Sequence, residues 1–269
     1  MATPSALLKI MMDAARKAAR GLKRDFGEVE QLQVSKKGAA DFVTAADLRA
    51  EKTLMEELAK GRPGYGFLAE ESGATEGTDK THTWIIDPLD GTTNFLHGIP
   101  HFAINIALER QEANGPAIVA AVTYNPIAEE MFWAERGRGA FLNAERRLRV
   151  AARRTLDEAV LATGIPFAGR PGHAQFLKEL HQMTGRVAGV RRFGSAALDM
   201  AWVAAGRYDG YWERNIQAWD VAAGLLLVQE SGGMVSAVEG EGDPRQTGSV
   251  CAANLDLQPL ILERLRAAA

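Results

Sequence analysis

The sequence predicts a mixed α+β / α/β fold, and three observations carry that prediction. Helical and strand periodicities interleave along all 269 residues, the strands cluster in the first half, and strand and helix take turns more regularly in the second. The length lies between one large domain and two small ones. A soft boundary near Asn143, just after the turn residues Gly137 and Gly139, separates residues 1–143 from residues 144–269, read as two halves of one compact unit.

The first element is a helix from Ser5 to Arg24. Leu7, Leu8, Met11, Ala15 and Leu22 share its apolar side and charges are spread through it, which a signal peptide does not show. A second helix runs from Thr44 to Lys60 and opens on TAAD, Thr44 to Asp47, a capping-box-like spacing. Apolar or alternating runs then predict strands at Gly66–Ala69, Trp84–Ile86, Phe102–Leu108, Ile118–Tyr124 and Met131–Ala134. Beyond the boundary, strands are expected at Ala159–Thr163, Tyr208–Trp212, Met234–Ala237 and Ser249–Ala252. Helices are expected at His173–Thr184, Ser195–Ala205, Asp220–Ser231 and Leu255–Ala268.

Composition removes several classes of function. The 31 basic and 34 acidic residues leave a net charge of −3, so no nucleic-acid or bulk-membrane surface is indicated. No apolar run approaches the ~20 residues that a membrane span requires. The single cysteine, Cys251, and five scattered histidines exclude an intramolecular disulfide and a zinc site of the Cys/His kind, and the expected compartment is reducing and cytoplasmic.

The chemistry is concentrated in WIIDPLDGTTNF, Trp84 to Phe95. An apolar strand ends on Asp87, and Pro88 removes a donor and biases its predecessor away from helix, so a turn is expected at once, with Asp87 and Asp90 on one side of it. Gly91 permits close backbone approach, and Thr92 and Thr93 offer hydroxyls and amides of the kind that hold phosphate. Two like charges 4 Å apart repel by about 4 kcal/mol at an effective dielectric near 20. Converging acids beside an anion cradle therefore need cations between them, and carboxylates without Cys or His suit a hard ion such as Mg²⁺. Other phosphoryl signatures fail: position 88, two before Asp90, is proline where aspartyl-phosphate phosphatases carry their nucleophile, and neither a P-loop nor a G-x-S-x-G elbow is present. Singly, the acids have plainer readings, with Glu70 and Glu71 as a solvated strand end and Asp220 as a helix N-cap.

Together, Asp47, Glu70-Glu71, Asp87-Pro88-Leu89-Asp90-Gly91-Thr92 and Trp219-Asp220-Val221-Ala222-Ala223 resemble the metal-binding signature of the inositol monophosphatase family, within the lithium-sensitive, Mg²⁺-dependent phosphatases. KKGAADFVTAAD at Lys36 to Asp47, Gly194-Ser195-Ala196 and YWERNIQAWD at Tyr211 to Asp220 extend the likeness over most of the chain. The resemblance implies a layered α-β-α-β-α sandwich of the inositol monophosphatase / fructose bisphosphatase type, a homodimer, and an active site between the two halves. It implies that Glu70, Asp87 and the Leu89 carbonyl hold one Mg²⁺, that Asp87, Asp90 and Asp220 hold a second, and that a third, weaker ion leans on Glu70. Glu70 and Thr92, the latter oriented by Asp47, would activate the attacking water. Asp90, Gly91, Thr92, Thr93, Gly194, Ser195, Ala196, Glu213 and Asp220 would contact a small phosphate monoester, with Glu213 accepting from an inositol hydroxyl; the plainer reading of Glu213 is a surface acid beside Arg214.

The charge count agrees. Glu70, Asp87, Asp90 and Asp220 carry −4, which two Mg²⁺ offset, and a third ion would offset the roughly −2 of a phosphate monoester. The implied activity is hydrolysis of myo-inositol 1-phosphate or a related inositol or sugar-alcohol monophosphate by in-line attack of water. Fructose 1,6-bisphosphate, adenosine bisphosphate and histidinol phosphate are the alternatives at the same site. Only 15 residues, Ser72 to Ile86, separate Glu71 from Asp87, shorter than in the related bisphosphate nucleotidases, which favours the small monoester. Some bacterial relatives also associate with the transcription machinery, and Arg146-Arg147, Arg153-Arg154 and Arg191-Arg192 could supply such a surface, although solubilising arginines are the simpler reading.

Overall fold

The amphipathic N-terminus forms α1 (Ala6–Phe26), capped by the Ser5 hydroxyl, which accepts from the Leu8 amide at 3.2 Å. The computed structural model describes residues 3–28, 34–36, 42–144 and 146–268. Residues 37–41 of the KKGAADFVTAAD segment lie outside the described residues. A two-stranded ribbon, β1 (Val34–Lys36) with β2 (Phe42–Thr44), leads into α2 (Ala45–Gly61).

Together α1 and α2 cover one face of an eight-stranded sheet. Its strands are β3 (Tyr65–Ala69), β4 (Gly73–Thr75), β5 (Asp79–Asp90), β6 (Ala103–Arg110), β7 (Ala117–Asn125), β8 (Glu130–Glu135), β9 (Gly139–Leu142) and β10 (Arg146–Arg147), in the order β10-β9-β8-β7-β6-β5-β3-β4. Side chains alternate across a strand. Trp84 and Ile86 of β5, with Ile104, Ile106 and Leu108 of β6, therefore pack under α1 and α2 beside Leu8, Met11, Leu22, Leu54 and Leu58. Ile85, Ala103 and Ala107 point the other way, onto α5 (Ala196–Ala204) and α6 (Ala218–Glu230).

A second sheet lies beyond those two helices, with the order β12-β11-β13-β15-β14. Its strands are β11 (Val160–Thr163), β12 (Gly189–Arg191), β13 (Gly210–Arg214), β14 (Met234–Ser236) and β15 (Ser249–Ala253). The same alternation sends Tyr211, Val250 and Ala252 toward α5 and α6, and Trp212, Cys251 and Ala253 toward α4 (His173–Thr184) and α8 (Leu257–Arg266). Covered on both sides, α6 buries every residue from Val221 to Val228, which explains why its sequence lacks a polar face. The layers are α-β-α-β-α, as the resemblance implied. No helix among the described residues is long and apolar enough to cross a membrane.

Differences from the sequence expectations have local causes. β4, β10 and β12 have three residues or fewer, too short for a period to register, and β9 begins on Gly139, which reads as a turn. Two short helices, α3 (Thr92–Leu96) and α7 (Pro244–Thr247), are likewise below the length at which periodicity shows.

Candidate active site

The expected turn after Ile86 is instead a β-bulge. β5 stays paired with β6 through Asp87↔Asn105 and again at Asp90↔Ala103, so β5 spends three steps where β6 spends two. In a regular pleat, residues three apart face opposite sides; the extra residue restores parity and turns Asp87 and Asp90 to the face that carries α6. Pro88 sits within the bulge, where its missing amide costs no ladder bond. The Leu89 amide donates to Asp87 Oδ1 at 2.9 Å, holding the carboxylate against the bulge.

Three further elements converge there. β3 runs parallel to β5 with Ala69↔Ile86 in register, so Glu70 follows β3 beside Asp87. Glu51 of α2, which the sequence reading did not single out, accepts from the Glu71 and Ser72 amides at 2.9 and 3.0 Å and fixes that strand end. Asn105 is a second support found only in the structure: its Nδ2 donates to the Trp219 carbonyl at 2.7 Å, and its Oδ1 accepts from the Thr123 hydroxyl at 2.6 Å. It ties the start of α6 to the strand position opposite Asp87. Asp220 is not the N-cap of α6; Gln217 is, and Asp220, third residue of the first turn, accepts from the Gln217 amide through Oδ2 at 2.8 Å.

The outcome is two acidic groupings. One carboxylate oxygen from each of Asp87, Asp90 and Asp220 lies within 4.8 Å of the others, and the same holds for Asp47, Glu70 and Glu71. Of this second grouping, Asp47 and Glu71 were outside the expected ligand set. Burial, then the charges of Glu70, Asp90, Asp220 and Asp47, hold the Asp87 carboxyl well above the usual carboxylate range. Asp220 is raised by burial and by Asp90, Glu70 and Glu213, against the lowering effect of the Gln217 amide. Asp90 is pushed up to about 6 by burial, while the Ser195 hydroxyl and the Ala197 and Ala196 amides pull it down.

Asp90 Oδ2 accepts from Ser195 Oγ at 2.5 Å and from the Ala197 amide at 2.8 Å, which joins the bulge to the first turn of α5. Ser195 is also the N-cap of that helix. Ser195→Ala is expected to cost about 1 kcal/mol of stability through the lost cap and to lower kcat/KM several-fold by loosening Asp90; thermal melting and steady-state rates check both. Asn94 Nδ2 donates to the carbonyls of His101 and Phe193 at 2.7 and 2.6 Å, drawing the Gly91–Thr93 segment toward the Gly194–Ala196 wall. Gly91 makes that approach possible: its φ is +95°, and a Cβ there would stand 3.1 Å from the His101 carbonyl and 3.3 Å from that of Gly194. The Thr92 hydroxyl donates to the Leu89 carbonyl at 3.0 Å.

These walls enclose a cleft of about 180 Å³, small beside the ~300–1,000 Å³ of pockets for drug-sized ligands. Asp90, Gly91, Thr92, Thr93, Gly194, Ser195, Ala196, Glu213 and Asp220 line it. Glu213 is not a surface acid beside Arg214: Arg214 turns away to Glu179 and Glu239, while Glu213 faces the cleft and accepts from the Tyr211 hydroxyl. Burial brings Glu213 to about 7, opposed by the Tyr211 hydroxyl and by Arg192 and Arg170. Arg170, Arg192 and Asp199 also line the cleft; in sequence Arg192 reads only as one of a basic surface pair, and nothing in local spacing distinguishes the other two from surface or helix-interior residues. Gly164 lies against Glu213; a Cβ there would fall 1.9 Å from Glu213 Cδ. Gly164→Ala is accordingly expected to displace Glu213 and raise KM for a polyol ester about tenfold with little change in metal affinity, measurable by kinetics and metal titration.

The model of the inositol monophosphatase family matches residues 3–269. An inositol-1-monophosphatase of Caulobacter vibrioides is 70% identical over 259 residues, covering 96% of this chain and 100% of the relative. The Nus factor SuhB of Escherichia coli K12 is 41% identical over 260 residues, covering 97% and 96%. Among solved structures, the extragenic suppressor protein suhB of Bartonella henselae superposes with a TM-score of 0.93 at 53% identity, over 97% of this chain and 99% of that one.

Proposed function

Because the chain belongs to the inositol monophosphatase family and is a phosphoric monoester hydrolase, we propose that it hydrolyses myo-inositol 1-phosphate, or a related inositol or sugar-alcohol monophosphate, with Mg²⁺. One observation carries this reading: Asp87, Asp90 and Asp220, contributed by a bulged strand and a helix remote in sequence, converge within 4.8 Å. Like charges held this close are costly, and no lysine or arginine among the described residues pairs with any of the three. The donors are all hard oxygens, and among the described residues neither Cys nor His joins them, which fits Mg²⁺ rather than a softer ion.

In this reading Asp87, Asp90 and Asp220 hold one ion, and Glu70, Asp87 and the Leu89 carbonyl hold another, with a third site on Glu70. When bound, such ions lower the pKa of water and stabilise a leaving alkoxide. Glu70 would take the proton of the attacking water, and Thr92, supported by Asp47, would orient that water. The segment Gly91–Thr93 seats the phosphate, and Gly194, Ser195, Ala196 and Glu213 hold the alcohol. Residues 1–143 supply most of the acids and residues 144–269 supply Asp220 and the alcohol wall; a homodimer is the expected assembly.

A panel of myo-inositol 1-phosphate, fructose 1,6-bisphosphate, adenosine 3',5'-bisphosphate and histidinol phosphate, ranked by kcat/KM with Mg²⁺ titrated in, tests chemistry and substrate together. Inositol 1-phosphate should lead the ranking. Near wild-type turnover by Asp90→Asn or Asp220→Asn at saturating metal would remove the proposed ligands. A second reading, an added regulatory role, is favoured by the likeness to the protein named Nus factor SuhB. Of the basic pairs, Arg153 is engaged with Asp209 and Arg154 with Asp256, and Arg147 lies over the Phe141 ring. Failure of the purified protein to retain RNA polymerase or its factors from lysate would dismiss that role.

A further inference from the structure

We propose that Asp199 is a second acceptor for hydroxyls of the substrate's alcohol portion, acting with Glu213 on the same wall of the cleft. The inference rests on the polyol reading given above and deepens it.

Asp199 stands in the first turn of α5, four residues after the Ser195 N-cap, and lines the cleft together with Glu213, Arg192 and Gly194. It is 1% exposed. Its Oδ1 has no hydrogen-bond partner among the described residues, although a buried carboxylate oxygen left without a donor costs on the order of 1–3 kcal/mol or more. Helix geometry does not explain it, because the free amides at the start of α5 are already taken: Ser195 Oγ accepts from Leu198 and Asp90 Oδ2 from Ala197. No cation among the described residues neutralises it at contact either; Arg192 is felt by its charge but forms no ion pair with it. Burial and the neighbouring charges of Glu213 and Asp90 raise the Asp199 carboxyl, with Arg192 opposing.

The two acids differ in how they are furnished. Glu213 already accepts from the Tyr211 hydroxyl, so only part of its acceptor capacity is open to a ligand. Asp199 contributes Oδ1, an acceptor that no donor among the described residues satisfies. A polyol ring supplies what this wall lacks, several hydroxyl donors a few ångströms apart, whereas an aryl or simple alkyl ester supplies none. Asp199 is thus a selectivity element for polyhydroxylated leaving groups.

The test compares wild type, Asp199→Asn and Asp199→Ala on myo-inositol 1-phosphate and on p-nitrophenyl phosphate at saturating Mg²⁺, with thermal melting beside it. The ratio of the two kcat/KM values is expected to fall about threefold to tenfold in Asp199→Ala, the loss of a hydrogen bond to a buried carboxyl, and to change through KM. Asp199→Asn keeps one acceptor oxygen and should lie between, and it remains informative if the alanine variant does not fold. An unchanged ratio, with both substrates falling together or neither moving, overturns the inference and leaves the polyol reading standing. Wild type that cleaves p-nitrophenyl phosphate and ignores inositol 1-phosphate overturns both.

Discussion

Asp87→Asn is expected to lower kcat/KM for inositol 1-phosphate by about a thousandfold or more, the scale on which a single electrostatic group in a reaction site acts, while raising the melting temperature of the metal-free protein. The two effects have opposite signs because the same charge serves opposite ends. Asp87 faces the carboxylates of Glu70, Asp90, Asp220 and Asp47, so neutralising it removes like-charge repulsion from the interior. Asparagine retains an oxygen for the Leu89 amide, which now donates to Asp87 Oδ1. For a chain of this size, each kcal/mol relieved is worth about 2–4 °C, and a rise of several degrees should appear in a melting curve taken with a chelator present. Calorimetric titration with Mg²⁺ or Mn²⁺ should at the same time lose its tight binding. A variant that is both inactive and less stable in chelator would show that Asp87 is needed for folding rather than for holding ions.

The second large effect is a pH-dependent response to metal. Asp87, Asp90 and Asp220 all have carboxyls raised by folding, Asp90 to about 6. An acid whose folded value lies above its unfolded value holds more protons in the native state over that window, so its contribution is fully present at low pH and is lost as pH rises through the folded value. For Asp90 the shift of about two units corresponds to at most about 3 kcal/mol. The metal-free protein should therefore weaken between about pH 4 and pH 7, and divalent ions, which bind only the ionised acids, should restore it most at high pH. The increment in melting temperature with saturating Mg²⁺ is expected to be about 1–2 °C at pH 5 and at least ~5 °C at pH 8. Exposed acids with lowered values, such as Glu57, Glu76 and Glu112, bear on stability with the opposite sign, but the difference with and without metal cancels them. An increment that does not vary with pH would mean that ions do not bind these carboxylates.

Much of the site could be read from residues because its parts are local. Asp87 and Asp90 share one segment with Gly91 and Thr92, and Glu70 closes a strand, so acid placement and strand periodicity appear within short windows. The bulge could not be read that way. A proline between two acids suits a turn as well as a bulge, and the choice depends on whether β6 is available to pair again at Ala103. Glu213 looked equally like a surface acid until the pleat of β13 set Tyr211 and Glu213 on one side and Arg214 on the other.

By itself the sequence determined the longer helices and strands and the hard-oxygen character of the acids, because periodicity and side-chain chemistry are properties of contiguous residues. Only the tertiary structure decided that Asp220 comes within 4.8 Å of Asp87 and Asp90, and that Asp199, Arg170 and Arg192 line the same cleft. Those proximities follow from sheet register, from one extra residue in a strand and from the packing of α5 and α6 between two sheets. They are relations between segments far apart in the chain, which no local pattern encodes.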